Sequence, residues 1–400
     1  MDTLLEFRAE ALPFVRIGLV GLGRRGMKTL ERYAFIEGAG ISCIADVCGE
    51  RLSAANATLA ASGRQPAVVF EGENAWREMC RRPDVDLIYI CTDWSTHCEM
   101  AVEAMSCGKH VAVEVPAATT VEECRLLVGT AERTRRHCFM TENCCYDFFA
   151  LSTLEMERAG LLGEVTHCEG AYIHNLHEAL YEEGQACVAH NGLNWMERKY
   201  ARHGGNPYPT HGIGPISWLL NLHRGDRMDY LVSMTSSPQT DSAAGKVNST
   251  LIKTVKGRTI LLQLDVTTPR PYSRLQTVCG TEGFSQKYPE PVLKTKNSQL
   301  LTGEAALSLV DDFLTSHAAQ LWKRGHEMAV PNEMNYAMDA RLIYCLRKGL
   351  PLDIDVYDAA EWSCLAELSE LSASQGGRPV QIPDFTQGHW QDLPDHKLFV

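Results

Sequence analysis

The sequence predicts a doubly wound α/β domain over residues 1–145 and, after it, an α+β domain with a largely antiparallel sheet over residues 146–400. Three observations lead there. In the first third, short continuous apolar runs alternate with longer helical patterns, the rhythm of a parallel sheet covered on both faces. A glycine cluster sits directly after the first of those runs. Beyond Tyr146 the alternation stops, and strand-like runs follow one another with little but turn residues between them, as antiparallel strands do.

The strand candidates of the first domain are residues 15–20, 41–47, 67–70, 87–91, 110–115 and 137–141, with helical patterns at 25–36, 50–61, 75–81, 96–107 and 121–134. In the second domain a helix over 148–158 leads through Gly160 and Gly163 into a strand at 164–173. Further strands are expected at 230–235, 248–255, 259–266 and 275–280, and helices at 216–222, 304–323, 331–348 and 356–374. The tail over 375–400, rich in Pro, Gly, Asp and aromatics, is expected to wrap the surface as an irregular segment.

Composition narrows the function classes. Lys and Arg number 38 against 50 Asp and Glu, a net charge of −12. Nucleic acid is therefore a poor partner, since its binding needs a basic face. No apolar run reaches the roughly 18–20 residues of a membrane span, and residues 1–14 show no basic start followed by an apolar stretch. The 15 cysteines are an odd number, and Cys43, Cys91, Cys107 and Cys138 lie in apolar, core-like runs. With no C-x-x-C, neither a zinc ribbon nor a dithiol redox site is signalled. A reducing compartment is the expectation, cytoplasmic by default, or periplasmic or exported if a leader precedes the chain.

The strongest motif is Gly21-Leu-Gly23-Arg24-Arg25-Gly26, at the end of the first strand and the start of a helical pattern. That is the context of the dinucleotide fingerprint: Gly21 for the tight turn, Gly23 for approach of a pyrophosphate, Gly26 for close helix–sheet packing. The helix N-terminus offers N–H groups and partial positive charge to phosphates. Asp46 ends the next strand, where a carboxylate accepts the ribose hydroxyls and repels a 2′-phosphate, so NAD is favoured over NADP. A structural glycine turn with a surface Asp is the plain alternative. Ligands of such folds lie beyond the carboxyl ends of the strands. There the sequence places Thr92-Asp-Trp94-Ser95-Thr96-His97, Glu114-Val115-Pro116 and Glu142-Asn143. For Trp94 and His97 an ordinary helix start with a packed aromatic is the competing reading.

The fingerprint, Asp46, Glu114-x-Pro116 and the α+β second half resemble the sugar oxidoreductase group related to glucose-fructose oxidoreductase and inositol dehydrogenase. That group usually carries Glu-Lys-Pro, its lysine acting in proton transfer; Val115 stands there in this chain. Over nearly its whole length the sequence is similar to glycoside hydrolase family 109, the NAD-dependent α-N-acetylgalactosaminidases. The motifs are Glu142-Asn143, Gly170-Ala-Tyr172-Ile-His174, Tyr208-Pro-Thr-His211-Gly-Ile-Gly-Pro215, Lys287-Tyr288-Pro289 and Pro383-Asp-Phe-Thr-Gln-Gly388. One departure stands out: members usually have Trp-Arg upstream of Tyr-Pro-Thr-His, the arginine contacting sugar. Here the pair is Trp195-Met196, with Arg198 or Arg202 as the available substitute.

The resemblance implies hydrolysis through a transient C3 ketone, loss of the C2 proton, elimination at C1, water addition and re-reduction by the same NAD, an exception to two-carboxylate glycosidase chemistry. It assigns the dinucleotide to Gly21, Gly23, Arg24, Arg25, Gly26, Asp46, Trp94, Ser95, Thr96, His97, Glu114, Val115, Asn143 and Tyr208. The sugar falls to Glu142, Tyr172, Arg198, Tyr208, His211 and Tyr288. His211 is the first candidate base, since imidazole titrates near neutrality. Tyr172 is the second. A capping or packed histidine and a packed sheet tyrosine are the bland alternatives. No metal is expected: His174-x-x-His177-Glu178 has no third marked ligand. Cys144 and Cys145 read as core. The partner is a small molecule or glycan, and the resemblance suggests a homo-oligomer. Two other classes stay open: an NAD-dependent sugar or polyol dehydrogenase, against which Val115 argues, and a non-catalytic NAD-binding regulator.

Overall fold

The computed structural model describes residues 3–176, 195–236 and 245–393. By contacts the chain divides into two compact units: Met1–Thr141 with Lys323–Ala360, and the described residues from Glu142 to Trp322 together with those from Glu361 onward. A single cut at residue 145 leaves the return of Lys323–Ala360 undescribed.

The first unit holds a six-stranded parallel sheet in the order β3-β2-β1-β4-β5-β6. The strands are β1 (Val15–Val20), β2 (Ala39–Asp46), β3 (Val68–Glu71), β4 (Leu87–Ile90), β5 (His110–Val113) and β6 (Cys138–Met140). Between them run α1 (Arg24–Arg32), α2 (Gly49–Ala61), α3 (Trp76–Cys80), α4 (Trp94–Ser106) and α5 (Val121–Thr134). Every residue of β4 and β5 is buried, as continuous apolar strands of a doubly covered sheet must be. The edge strand β3 departs from that expectation, with Val68 and Val69 each almost half exposed. The strand order reverses between β1 and β4, which opens the ligand crevice of this fold at their carboxyl ends.

Sequence capping sets the helix starts. Thr120 accepts from the Glu123 N–H (3.2 Å) while Glu123 reaches back to Thr119 N–H (2.7 Å), a capping-box arrangement that fixes α5. The fully buried Asp339 binds Arg32 at 2.6 Å and takes the Tyr89 hydroxyl at 3.0 Å. Burial raises the Asp339 carboxyl, and Arg32 opposes that rise. This cluster ties α1 and β4 to the helix Glu333–Lys348 within the first unit.

The second unit carries a nine-stranded sheet, order β14-β13-β12-β11-β7-β10-β9-β8-β15. Its long members are β7 (Val165–Ile173), β8 (Met228–Thr235), β9 (Val247–Thr254), β10 (Thr259–Asp265) and β11 (Ser273–Gly280). The short ones are β12 (Phe284–Gln286), β13 (Val292–Lys294), β14 (Leu301–Thr302) and β15 (Val380–Gln381). All neighbours are antiparallel except β7 and β10. Helix α6 (Phe148–Arg158) packs Phe149 and Met156 with Leu293, Ala306 and Val310 into a closed apolar cluster.

Several sequence expectations are corrected. Helix α7 (Trp195–Arg202) and strands β12 to β14 were not anticipated. The helix expected at 216–222 is α8 (Thr210–Leu219), which starts six residues earlier and contains Pro215. The helix expected over 304–323 is two, α9 (Gly303–Asp312) and α10 (His317–Glu327), because Ser316 accepts the Ala319 N–H (3.2 Å) and restarts the chain as a cap. The remaining helices among the described residues are α11 (Glu333–Lys348) and α12 (Val356–Ser374). The tail, expected to be irregular, contributes β15 to the sheet. The described cysteines are free, and most are buried. No helix among the described residues is long and apolar enough to cross a membrane.

Candidate active site

Among the described residues, the residues singled out by the sequence gather in two constellations, one in each unit. In the first unit the glycine turn follows β1. Gly21 has φ +84°, and a Cβ on it would sit 2.8 Å from the Cys91 carbonyl oxygen. A Cβ on Gly26 would lie 1.8 Å from the Gly21 oxygen, so both positions admit only glycine. At Gly23 an added Cβ meets nothing within 4 Å. Helix α1 begins directly after Gly23 with no side-chain cap. An open face at the middle glycine and an uncapped helix start are what a pyrophosphate needs.

Asp46 ends β2 beside this turn. Its Oδ2 accepts the Leu22 N–H (2.6 Å) and its Oδ1 the Cys48 N–H (2.9 Å), so the carboxylate is oriented by the loop it would serve. Arg24 is exposed, whereas Arg25 pairs with Glu114 beyond β5 at 2.9 Å. Val115 is buried and precedes a cis proline, Pro116. Trp94 opens α4, Asp93 caps that helix on Ser95 N–H (2.9 Å), and Thr96 donates to the Asp93 carbonyl (2.8 Å). His97 is fully buried between the Pro116 and Thr92 carbonyls, at 2.8 and 3.1 Å. Burial holds it below the ordinary histidine range against those carbonyls. It joins the loops after β4 and β5 instead of facing a ligand.

The second constellation lies in the second unit. Gly170 of β7 and Gly212 of α8 touch backbone to backbone: a Cβ on Gly170 would lie 2.3 Å from the Gly212 oxygen. That close approach sets Tyr172 beside His211, with ring centroids 5.0 Å apart, edge to face. Tyr208 completes the group, 4.8 Å from the His211 ring and 5.1 Å from Tyr172. His211 Nδ1 lies 2.7 and 2.8 Å from the two oxygens of Glu142, and its Nε2 lies 3.2 Å from the Tyr208 hydroxyl. Glu142 is fully buried, and one of its oxygens also accepts the Cys144 N–H (3.0 Å). Burial pushes His211 down, but Cys144 and Glu142 beside it push harder in the other direction, up to about 10. Burial likewise raises Glu142, and His211 carries it below the usual carboxylate value. The sequence assigned Glu142 to sugar hydroxyls; in the fold its carboxylate faces the imidazole.

Asn143 is buried at the start of a short 3₁₀ turn, Asn143–Tyr146. The Tyr172 hydroxyl lies 3.0 Å from His174 Nδ1, and ring contacts continue from His174 to Tyr272 and on to Tyr288. Arg198 is half-buried on α7 and Arg202 exposed at its end. His177 and Glu178 lie outside the described residues. Glu142, Cys144 and His211 bring one oxygen, one sulfur and one nitrogen within 4.8 Å of each other, a mixed donor set in which Nδ1 is engaged by the carboxylate. Sequence reasoning missed the charged hub around Asp147, which accepts Arg274 at 2.8 Å and Lys287 at 2.5 Å. An Asp directly before a helical run is a readable cap signal; Lys287 was marked only as part of the Lys287-Tyr288-Pro289 motif, and nothing in sequence marks Arg274.

Residues 146–243 and 237–392 match the model of the glycosyl hydrolase 109 C-terminal domain, and residues 15–142 that of the oxidoreductase family NAD-binding Rossmann fold. A protein of Phocaeicola vulgatus named glycosyl hydrolase family 109 protein 2 is 51% identical over 409 residues, covering 97% of this chain and 98% of that protein. The chain belongs to glycosyl hydrolase family 109. An α-N-acetylgalactosaminidase of Bacteroides fragilis is 50% identical over 400 residues, 95% of this chain and 94% of that protein. Among solved structures, levoglucosan dehydrogenase in complex with NADH and levoglucosan superposes with a TM-score of 0.69 at 17% identity, covering 92% of this chain and 100% of that one. At that identity the likeness shows the shared fold. This family 109 protein is an NAD-dependent glycoside hydrolase, its dinucleotide domain formed by the six-stranded sheet.

Proposed function

We propose that the enzyme hydrolyses α-linked N-acetylgalactosaminides, with the Glu142–His211–Tyr208 array moving the protons of the reacting sugar. The observation that carries this reading is the two-sided engagement of His211, Nδ1 on the buried Glu142 carboxylate and Nε2 toward Tyr208. The relative named for this activity is 50% identical across nearly the whole chain. Gly21, Gly23, Gly26 and Asp46 would hold NAD, which when bound would supply a hydride acceptor and donor to a sugar that undergoes no net oxidation.

The protein groups do the rest. Glu142 fixes the imidazole plane and holds a proton on Nδ1, the orienting role a carboxylate plays behind a catalytic histidine. Nε2 is then the atom that exchanges a proton with the sugar hydroxyl and donates to the oxygen when negative charge develops there. Tyr172, edge-on to that ring, is the phenol placed for the neighbouring carbon-bound proton. Tyr208 and Tyr288 bind sugar oxygens. In the first unit, His97, Trp94, Ser95 and Thr96 shape the loops around the dinucleotide, and the Arg25–Glu114 pair closes the strand ends.

The test is incubation with an aryl α-N-acetylgalactosaminide in deuterated water. Aryl release with deuterium at C2 and no build-up of NADH absorbance is expected. NADH accumulation without aryl release overturns the reading in favour of a dehydrogenase.

The raised His211 pKa has a second consequence. At neutral pH the ring is an imidazolium, so activity that needs imidazole rises from pH 7 toward about 10. Glu142→Gln removes one of the two groups that raise the ring and leaves Cys144 alone to oppose burial. The limb is expected to move to lower pH, and the maximal kcat to fall about 10²-fold as ring orientation is lost. A pH profile of kcat for both proteins checks this; an unmoved limb assigns it to another group.

A further inference from the structure

The charged hub around Asp147 is not accounted for by the proton-moving array. Asp147 caps α6 through Phe149 N–H (3.0 Å) and Ala150 N–H (3.3 Å). Its other oxygen takes both Arg274 and Lys287. Arg274 and Asp147 are each about nine-tenths buried or more, so this is a costly cluster of two cations on one carboxylate. The backbone that delivers Arg274 is also unusual. Leu275 and Gln276, neither of them glycine, have φ of +54° and +55°, and the β11–β7 register slips on either side of Leu275. Bulges of this kind re-aim a side chain, and left-handed non-glycine residues inside a strand persist where the surroundings enforce them.

What the bulge aims at is Tyr288. The Arg274 Nη2 atom that binds Asp147 also donates to the Tyr288 hydroxyl at 3.3 Å. A guanidinium has donors and no acceptor. The Tyr288 oxygen must therefore accept from Arg274, which turns its own O–H proton away. Among the described residues that hydroxyl has no other hydrogen-bond partner. We infer that Arg274, anchored on Asp147, is a positioning residue that makes Tyr288 a dedicated hydrogen-bond donor toward an acceptor oxygen of the bound sugar. The sugar group recognised is one that accepts and does not need to donate: an acetamido carbonyl or a ring-carbon oxygen gathering negative charge. The guanidinium behind the phenol strengthens the donor as that charge grows. This inference rests on the proposal that Tyr288 touches the sugar.

A double-mutant cycle on the NAD-loaded enzyme tests both, with kcat and KM read on an aryl α-N-acetylgalactosaminide. Tyr288→Phe is expected to lower kcat/KM about 10²-fold. Arg274→Gln should cost about 10-fold or more in the wild-type background and less than about 2-fold in the Tyr288→Phe background, because its effect passes through the phenol. Arg274→Lys, which keeps the charge on Asp147, should recover the fold, read as the thermal midpoint, and only part of the activity. Equal losses from Arg274→Gln in both backgrounds mean a general structural role and overturn the inference while sparing the sugar contact. A Tyr288→Phe enzyme with wild-type kcat/KM overturns the sugar contact itself, and the inference with it. Where Arg274→Gln does not fold, the cycle is closed with Arg274→Lys, and additivity there is equally decisive.

Discussion

Replacing His211 by alanine is expected to lower kcat about 10³-fold or more, with NAD affinity unchanged. The magnitude follows from removing a proton-transfer group whose contribution is typically 10²–10⁴. The unchanged affinity is expected because the groups proposed to hold the dinucleotide, the glycine turn and Asp46, are left intact by the substitution. The same substitution also leaves Glu142 fully buried without its cationic partner. An unpaired buried carboxylate costs about 3 kcal/mol, so the thermal midpoint should drop as well. A fall in activity alone would thus mix two effects. The double variant His211→Ala/Glu142→Gln separates them: removing the orphaned charge should recover most of the stability and none of the turnover. If activity returns along with stability, the histidine holds the fold and some other group moves the proton. Isothermal titration with NAD, thermal unfolding and aryl release together decide it.

The parallel half of the fold was legible because its physics is local. Continuous apolar strands, a glycine turn that excludes any Cβ and an acidic residue at the next strand end are all short-range patterns, and the six strands fall where those patterns place them. The second unit was harder. Strands β12, β13 and β14 are two or three residues long and show no period. Helix α8 was hidden by Gly212, Gly214 and Pro215, residues that lower helix propensity. They are present because Gly212 must meet Gly170 and because the chain must carry His211 at the first turn. The residues of the proton-moving array were readable from the Tyr-Pro-Thr-His stretch, but their arrangement was not. That Glu142 lies under His211 depends on residues 69 positions apart, and Cys144 and Glu142 together raise the imidazole against its burial. Arg274 was invisible, since its placement depends on a bulge that no spacing rule announces.

Gly26→Ala is expected to abolish measurable NAD binding and to destabilise the protein, whereas Gly23→Ala should weaken NAD binding and leave the NAD-free protein as stable as before. The two glycines are three residues apart in one motif, yet their surroundings are opposite. The methyl group at 26 would lie 1.8 Å from the Gly21 oxygen and 2.9 Å from its carbonyl carbon. Both are backbone atoms, so no side-chain rotation relieves the clash. Gly21 has little room to yield either, because a Cβ built on it would lie 2.8 Å from the Cys91 carbonyl oxygen. Helix α1 must then lift from the sheet, at a cost of about 1–3 kcal/mol or more, and the N–H groups that face the pyrophosphate move with it. At 23 the methyl group meets no protein atom within 4 Å, so it projects only into the space a pyrophosphate would take. The separation is read by thermal unfolding with and without NAD. Saturating NAD at 100 times its Kd adds about 2.7 kcal/mol to the wild-type protein. Gly23→Ala should show the wild-type midpoint without NAD and lose that increment, and Gly26→Ala should show a lowered midpoint and no increment. A full NAD increment in Gly23→Ala would mean that the dinucleotide does not cross the face of this turn.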